Sequence, residues 1–142
     1  MPFDFFPGNV TASAKCGKVS LTCWANSYVS AIAEDECRHA FTEVEVTAEA
    51  DGLDPLSFSM PLEFWADGDA RYFDTMEVTS VLNCRTEEDA TAEEVKALEK
   101  AAGGLSSVLW GAVDFVARRV AIQLMAPAFE ALAAAIEEEQ AA

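Results

Sequence analysis

The sequence predicts an α+β protein in which an N-terminal, mainly antiparallel β-sheet is covered by C-terminal helices. Residues 8–84 largely alternate between apolar and polar, which is typical of half-buried strands, whereas from residue 86 onward the apolar residues follow the helical period. A chain of 142 residues, 51% of them hydrophobic, is large enough to bury one core. We therefore expect a single domain, 1–142, with a β-rich segment 1–85 and a helical segment 86–142.

The strands are predicted from the runs in which the alternation is regular. These runs are 19–24, 43–49 and 56–60. Asp67-Gly68 stands between two further apolar runs and predicts a hairpin, because Asp-Gly suits a tight turn. A last strand is expected over 75–83.

The segment 26–41 fits neither period well. Tyr28, Ile32 and Cys37 have helical spacing, while Val29 and Ala31 suit a helix or a strand. We expect a short helix or an irregular crossover here.

The helical segment begins with a capping box, Thr91-Ala92-Glu93-Glu94, in which the Thr and Glu side chains each accept a hydrogen bond from the other's backbone N–H. The first helix should run to Ala102, because Gly103-Gly104 follows it. A second helix is expected from Ser106 or Ser107.

The second helix has an apolar arc that is wider than one stripe. Such a helix is either central in its own domain or shared with another chain. In the second case the predicted homodimer contact comprises Trp110, Phe115 and Met125. Pro127 is expected to kink or break this helix, because proline has no backbone N–H.

The charge of the chain is the feature that most constrains its function. There are 25 Asp and Glu against nine Lys and Arg, a net charge of -16. Both segments are acidic, so the excess is not a tail. A surface of this sign disfavours direct binding to nucleic acid or to anionic lipid, and it favours a basic protein as partner.

Sequence motifs for catalysis are missing. The chain has no phosphate-binding glycine loop, no GxGxxG, no GxSxG and no HExxH. His39 is the one histidine, and 25 acids make many accidental carboxylate pairs that select no site. We predict a protein that is not an enzyme and binds no cofactor. With no signal peptide at its start and no apolar run of about 20 residues, it is expected in the cytoplasm.

The four cysteines are interpreted first as free, buried thiols, because a cytoplasmic chain with a good core does not need disulfides. Disulfide pairing stays open from sequence. A weak alternative is a zinc site made by Cys16, Cys23, Cys37 and His39. Their spacing is against it, because structural zinc sites use ligand pairs two to four residues apart.

One pattern among the acids suggests a binding surface. If 43–49 is a strand, Glu43 and Glu45 project from the same face about 6.6–6.8 Å apart, and Glu49 lies further along the same row. This spacing is comparable to that of phosphates along one DNA strand, so the row is a candidate DNA mimic. Acids in predicted turns extend the candidate partner-binding set. They are Asp51, Asp54, Asp67 and Asp69.

The function predicted from these features is that of an acidic inhibitor. It would occlude the basic nucleic-acid-binding surface of a partner protein, as a phage anti-defence protein or an immunity protein does. The alternative is a non-enzymatic oligomeric scaffold, an assembly component or a protein that sequesters a small ligand, in which the acids serve solubility.

Overall fold

The computed structural model describes residues 3–5, 10–25, 29–34, 37–67, 70–75 and 77–141. Within these residues the chain forms an antiparallel sheet followed by two helices, and the predicted α+β class is confirmed. The strands are β1 (Phe3–Phe5), β2 (Val10–Cys16), β3 (Val19–Ala25), β4 (Val29–Glu34), β5 (Cys37–Glu49), β6 (Leu56–Asp67), β7 (Ala70–Thr75) and β8 (Ser80–Asn83). The helices are α1 (Ala92–Ala102) and α2 (Ser106–Ala141).

A long hairpin of β5 and β6 is the centre of the sheet. It is paired from His39 opposite Trp65 to Ala48 opposite Leu56. The other edge of β5 pairs with β4 along its first half and with β3 along its second half. The far edge of β6 likewise pairs with β8 and then with β7. Two half-sheets, β1-β4-β5-β6-β7 and β2-β3-β5-β6-β8, therefore share one hairpin.

Pro61 lies where the neighbour of β6 changes. Ser59 pairs with Ser80 of β8, and Leu62 pairs with Thr75 of β7. The Ser59 carbonyl accepts from the Thr79 N–H on this edge, at 2.8 Å. Backbone groups two residues apart point to the same edge. The missing N–H of Pro61 therefore falls at the gap between β8 and β7, where no ladder bond is lost.

The core lies between α2 and one face of the sheet, which we call the inner face. α2 contacts strands β1 to β7. Its buried residues recur every three or four positions, as one side of a helix requires. They are Leu109, Val113, Val116, Ala117, Val120, Ala121, Leu124, Ala128 and Leu132. Aromatic contacts join the layers: Trp110 lies edge-on to Phe58 at 5.1 Å between ring centroids, and Phe129 to Phe64 at 6.0 Å.

The turn between β2 and β3 closes the end of α1. Gly17 has φ of +57°, and a Cβ there would lie 2.7 Å from the Ala102 carbonyl oxygen. Next to it, the Lys18 N–H donates to the Ala101 carbonyl at 2.9 Å. Glycine is thus required both by the backbone conformation and by the close approach. The contact supplies a hydrogen bond to a helix end that otherwise lacks one.

The predicted first helix is confirmed at both ends. The Thr91 hydroxyl accepts from the Glu94 N–H at 3.2 Å, and a Glu94 carboxylate oxygen accepts from the Thr91 N–H at 2.9 Å. At the other end, Gly103 has φ of +141° and its N–H bonds the last-turn carbonyls. α2 begins at Ser106, as the sequence predicts.

Two predictions about local structure are wrong, and a third, for Pro127, is wrong in one of its two alternatives, the break. Segment 26–41 contains β4 and the start of β5 rather than a helix or crossover, because its residues pair in register, Ser30 with Phe41 to Glu34 with Cys37. Residues 26–28 and 35–36 lie outside the described residues. The strand expected over 75–83 is confined to β8. Pro127 does not break α2, which continues to Ala141.

The continuity of α2 through Pro127 has a packing explanation. A proline removes one helical hydrogen bond. Leu124, Ala128 and Leu132 on both sides of it are buried against the sheet. Tertiary packing of an apolar face supplies most of a helix's stability in a folded protein, so it outweighs the lost bond.

Candidate functional site: the outer face of the sheet

The face of the sheet that points away from α2, here called the outer face, carries the predicted row of glutamates. Glu43, Glu45 and Glu49 are exposed on β5, and their neighbours Val44 and Val46 are fully buried. The alternation of β5 explains this, because successive side chains of a strand point to opposite faces. The shared, outward direction of the three carboxylates is confirmed.

The row of acids continues onto the neighbouring strands. Glu63 of β6 lies opposite Asp74 of β7 in register, and it lies two residue pairs further along the hairpin than Glu43. Like charges placed directly opposite each other destabilise a sheet. Asp74 is partly compensated from the edge of the molecule, because the Arg118 guanidinium of α2 lies 3.6 Å from it.

Large aromatic side chains are interspersed with the acids on the same face. Trp24 is 51% exposed and lies opposite Glu45. Phe41 is 40% exposed and lies opposite Glu63. Tyr72, which is 51% exposed, pairs with Trp65.

The aromatic part of this face was missed from sequence as a functional feature. The alternation of β3 does place Trp24 in phase with Ser20 and Thr22, on the polar side of the strand. A tryptophan at a polar-phase position was the available signal. The sequence gives no such signal for Phe41, because segment 26–41 fits neither the strand nor the helical period well.

The remaining predicted binding acids do not form one group. Asp51 is exposed in the turn after β5, next to the glutamate row. Asp67 is the last residue of β6 and pairs with Ala70 at the far end of the hairpin. Asp69 lies outside the described residues. Of these acids, Asp51 is therefore the one that extends the row from the Glu49 end.

Asp54 takes part in a polar network between the β5–β6 connection and the start of α1. Its carboxylate accepts from Arg85 Nε at 2.8 Å and from Asn83 Nδ2 at 3.2 Å. Asn83 also donates to Glu94, and its Oδ1 accepts from the Arg85 N–H at 2.9 Å. The hydrogen bonds from Arg85 and Asn83 lower the pKa of Asp54. Its carboxylate therefore already has internal partners.

Asn83 is the centre of this network and is only 1% exposed. Its Oδ1 also accepts from the Thr86 N–H at 3.1 Å, and its backbone carbonyl accepts from the Glu87 N–H at 2.9 Å. Glu87 has φ of 61°, which the turn between β8 and α1 requires. One buried amide thus joins β8, this turn, the β5–β6 connection and the first turn of α1. The sequence offered no signal for this role.

Cys84 follows this network and is close to the glutamate row. Burial raises the pKa of its thiol, and the negative charges of Glu45 and Glu49 raise that pKa further. On β3, burial raises the pKa of the Cys23 thiol to about 12. Neither environment activates a thiolate, since activated cysteines lie near positive charge. Cys16, Cys23 and Cys84 are free thiols.

The alternative zinc ligands are not brought together by the sheet. Cys23 pairs with Val46, nine residues along β5 from Cys37, which corresponds to about 30 Å along a strand. Cys16 lies at the β2–β3 turn, where its thiol is 3.5 Å from the Ala102 carbonyl oxygen. Across the part of the chain that the structure describes, no three His, Cys, Asp or Glu residues are grouped so as to hold a metal ion.

The three predicted oligomer-contact residues have different surroundings. Trp110 and Met125 are half-buried and pack against the core. Phe115 is 54% exposed. An oligomer contact through these residues stays a prediction, and Phe115 is the one available for it.

Two further findings bear on the class of protein. None of the described helices combines the length and the apolar character needed to cross a membrane. Comparison with known proteins gives no match to a family model, to a curated protein or to a solved structure. Fold and site together define an α+β protein with one helix-covered face and one acidic face with exposed aromatics.

Proposed function

We propose that the outer face binds a basic protein and blocks the surface with which that partner binds nucleic acid. The protein would act by occlusion rather than by catalysis, in the cytoplasm. The partner would be a nucleic-acid-binding protein or nuclease, in keeping with an anti-defence or immunity role.

The observation that carries this proposal is the mixture of exposed aromatic and acidic side chains on one face. Solubility alone would explain the glutamates, but it gives no reason to expose Trp24 and Tyr72 to water. Binding energy in protein interfaces is concentrated in a few residues, and tryptophan and tyrosine are enriched among them. The mixture therefore suits a protein partner better than it suits solvent.

The two kinds of side chain would make different contributions. Exposed ion pairs contribute only about 0.2–1 kcal/mol each, whereas a tryptophan at the centre of an interface contributes about 2 kcal/mol or more. The carboxylates therefore mainly steer association and select a partner with clustered Arg and Lys. The row from Glu49 to Glu43 spans about 20 Å, enough to occupy several phosphate sites of such a partner.

The test is capture of partners by the immobilised protein at low salt, followed by elution in a salt gradient and mass spectrometry. We expect a basic nucleic-acid-binding protein that elutes at moderate salt and is displaced by duplex DNA. Glu43→Gln/Glu45→Gln/Glu49→Gln should slow association with that partner at low salt. Trp24→Ala should instead speed dissociation.

A charge-matched control separates the face from the net charge. Glu88→Gln/Glu93→Gln/Glu99→Gln removes the same three charges from the connection before α1 and from α1 itself. Compared at about 0.15 M salt, this variant should retain association within about twofold, since charges more than about 8 Å from the contact are then largely screened. Equal loss of binding in both variants would show that the net charge of the protein, rather than the outer face, controls binding. Unchanged binding in the face variant would contradict the proposal.

A further inference from the structure

The side of α2 that points away from the sheet carries a regular stripe of exposed residues, here called the outer stripe. Its members recur every three or four residues and keep to one side of the helix. They are Val108, Gly111, Phe115, Arg119, Ile122, Ala126, Glu130, Ala133 and Glu137. Phe115 is 54% exposed and Ile122 60% exposed. No described part of the chain covers them.

The part of the stripe from Val108 to Ala126 lies in the least acidic stretch of the protein. Residues 101–129 contain one acid, Asp114, and two bases, Arg118 and Arg119, so their net charge is +1. Arg118 Nε donates a hydrogen bond to the Asp114 carboxylate at 2.7 Å. The rest of the chain, with 24 acids and seven bases, has a net charge of -17. Two copies of a protein with this charge repel each other least where they meet through this stretch.

The two halves of the stripe complement each other. The N-terminal half is bulky and basic, and the Arg119 guanidinium lies 5.9 Å from the Phe115 ring centroid. The C-terminal half has small or acidic residues, among them Ala126, Glu130 and Ala133. The large, positively charged side chains of one half are thus complementary to the small and negatively charged side chains of the other half.

We propose that the outer stripe binds the outer stripe of a second copy in antiparallel orientation, as a two-fold symmetric dimer. With the axis beside residue 124, Phe115 faces Ala133 of the second copy and Ile122 faces Ala126. Arg119 then lies within reach of Glu130. Because a two-fold interface is self-complementary, every such pair occurs twice.

A parallel arrangement of the same stripes loses both kinds of complementarity. It sets Phe115 against Phe115 and places Arg119 beside Arg119, so bulk meets bulk and like charges meet. Antiparallel packing also sets Ile122 against Ala126 on both sides of the axis, so that a bulky residue meets a small one. The sequence of the stripe thus specifies the direction of the pairing.

The length of the stripe limits the strength of the dimer. From Gly111 to Glu137 it measures about 39 Å, which at about 10 Å width gives roughly 400 Å² for each copy. A standard stable interface buries about 800 Å² for each partner. We therefore expect association that depends on concentration, with monomer at about 1 μM and dimer at about 500 μM.

The first test measures molar mass by sedimentation equilibrium over this concentration range. The wild type should change from the chain mass of 15.3 kDa to twice that value. Phe115→Glu/Ile122→Glu should stay at 15.3 kDa and keep its circular dichroism, since both side chains are exposed. A wild type that stays monomeric, or a variant that still dimerises, would overturn the proposal.

A matched control uses exposed aromatics elsewhere. Trp24→Glu/Tyr72→Glu adds two acids to the outer face of the sheet and should leave the dimer in place. If this variant loses the dimer while Phe115→Glu/Ile122→Glu retains it, the contact lies on the sheet, and the proposed interface is wrong.

The direction of pairing is tested by charge exchange and by cross-linking. Arg119→Glu and Glu130→Arg should each weaken the dimer, and the two together should restore it. Phe115→Cys/Ala133→Cys should form a disulfide-linked dimer on oxidation, because these residues are about 27 Å apart within one helix and cannot bridge internally. Each single cysteine variant serves as control. Failure of both the restoration and the cross-link would overturn the antiparallel arrangement.

Discussion

Asn83 shows how much of this structure depends on a single buried polar side chain. Its amide is satisfied on both sides, with Asp54 and Glu94 accepting from the nitrogen and two backbone N–H groups donating to the oxygen. Removing one partner of a buried hydrogen bond leaves the other partners unsatisfied and costs more than the bond itself contributes.

Asn83→Ala should therefore lower the free energy of unfolding by about 2–4 kcal/mol, because several buried groups lose their partner at once. Urea denaturation at pH 7 measures this. Asn83→Asp is the informative second variant. The aspartate keeps a side-chain oxygen that can accept from the backbone N–H groups of the turn, but it places a third carboxylate beside Asp54 and Glu94. The difference in stability between Asn83→Asp and Asn83→Ala should move in favour of Asn83→Asp as the pH falls toward 4, because protonation then relieves the repulsion among the three carboxylates. Equal pH profiles of the two variants would show that the added carboxylate does not interact with Asp54 and Glu94.

The pH dependence of the same network has a definite sign. Hydrogen bonds from Arg85 and Asn83 lower the pKa of Asp54, and those from Thr91 and Asn83 lower the pKa of Glu94. A carboxylate with a lowered pKa in the folded state stabilises the fold above its unfolded pKa, and this contribution is lost as the pH falls through the folded value. The ordinary pKa values are 3.8 for Asp54 and 4.5 for Glu94.

We expect the stability difference between the wild type and Asp54→Asn/Glu94→Gln to be constant above about pH 5 and to shrink below it. The difference is the correct quantity, because protonation of the other acids relieves repulsion and stabilises both proteins. Urea denaturation of both proteins at steps from pH 7 to pH 3 measures this difference in stability. A difference that does not change over this range would contradict the assigned pKa shifts.

Among the elements, those with strong local signals were predicted and those decided by pairing were not. Thr91 and Glu94 specify the start of α1 by themselves, and the two glycines after Ala102 specify its end. The segment containing β4 has no comparable local signal. It is a strand because its partner β5 lies beside it in register, and this is a property of the folded sheet.

The glutamate row was predictable for the same reason that α1 was. The alternation of β5 is regular, and one buried face decides the direction of each side chain. The position of Phe41 was not predictable, because it belongs to the part of β5 that is defined by pairing with β4. The network of Asn83 joins residues from four separate segments, and no local pattern reports such contacts.

Pro127 offers a prediction at the level of the helix. α2 continues through it although proline costs about 3 kcal/mol relative to alanine in a helix interior. Pro127→Ala should raise the free energy of unfolding by about 1–3 kcal/mol, because it restores one N–H and removes the steric clash. Denaturant unfolding measures this, with Ala126→Gly as a control that should destabilise the same turn. A loss of stability in Pro127→Ala would show that packing of the proline ring outweighs the backbone gain.

At the scale of the whole molecule, the two proposed contacts respond to salt in opposite directions. Binding to a basic partner is attractive over long range, so it should weaken between about 50 mM and about 500 mM NaCl. Dimerisation brings together two copies that each carry a charge of -16, so screening should strengthen it. The Arg119–Glu130 pairs oppose this trend, but they are few against the total repulsion.

Surface plasmon resonance and sedimentation measure the two responses on the same preparation. If both contacts weaken with salt, local ion pairs rather than net charge control self-association. If both strengthen, the partner is held by apolar contacts, and the acidic row does not steer it.

The layered arrangement of the molecule has a consequence for stoichiometry. The outer face lies on one side of the sheet, and α2 with its stripe lies on the other. In the proposed dimer the two outer faces therefore point away from each other, so a single partner surface cannot engage both. One dimer would instead hold two partner molecules, one on each side. Titration should then saturate at one partner for each chain, and the complex should contain two chains and two partners at concentrations where the dimer forms.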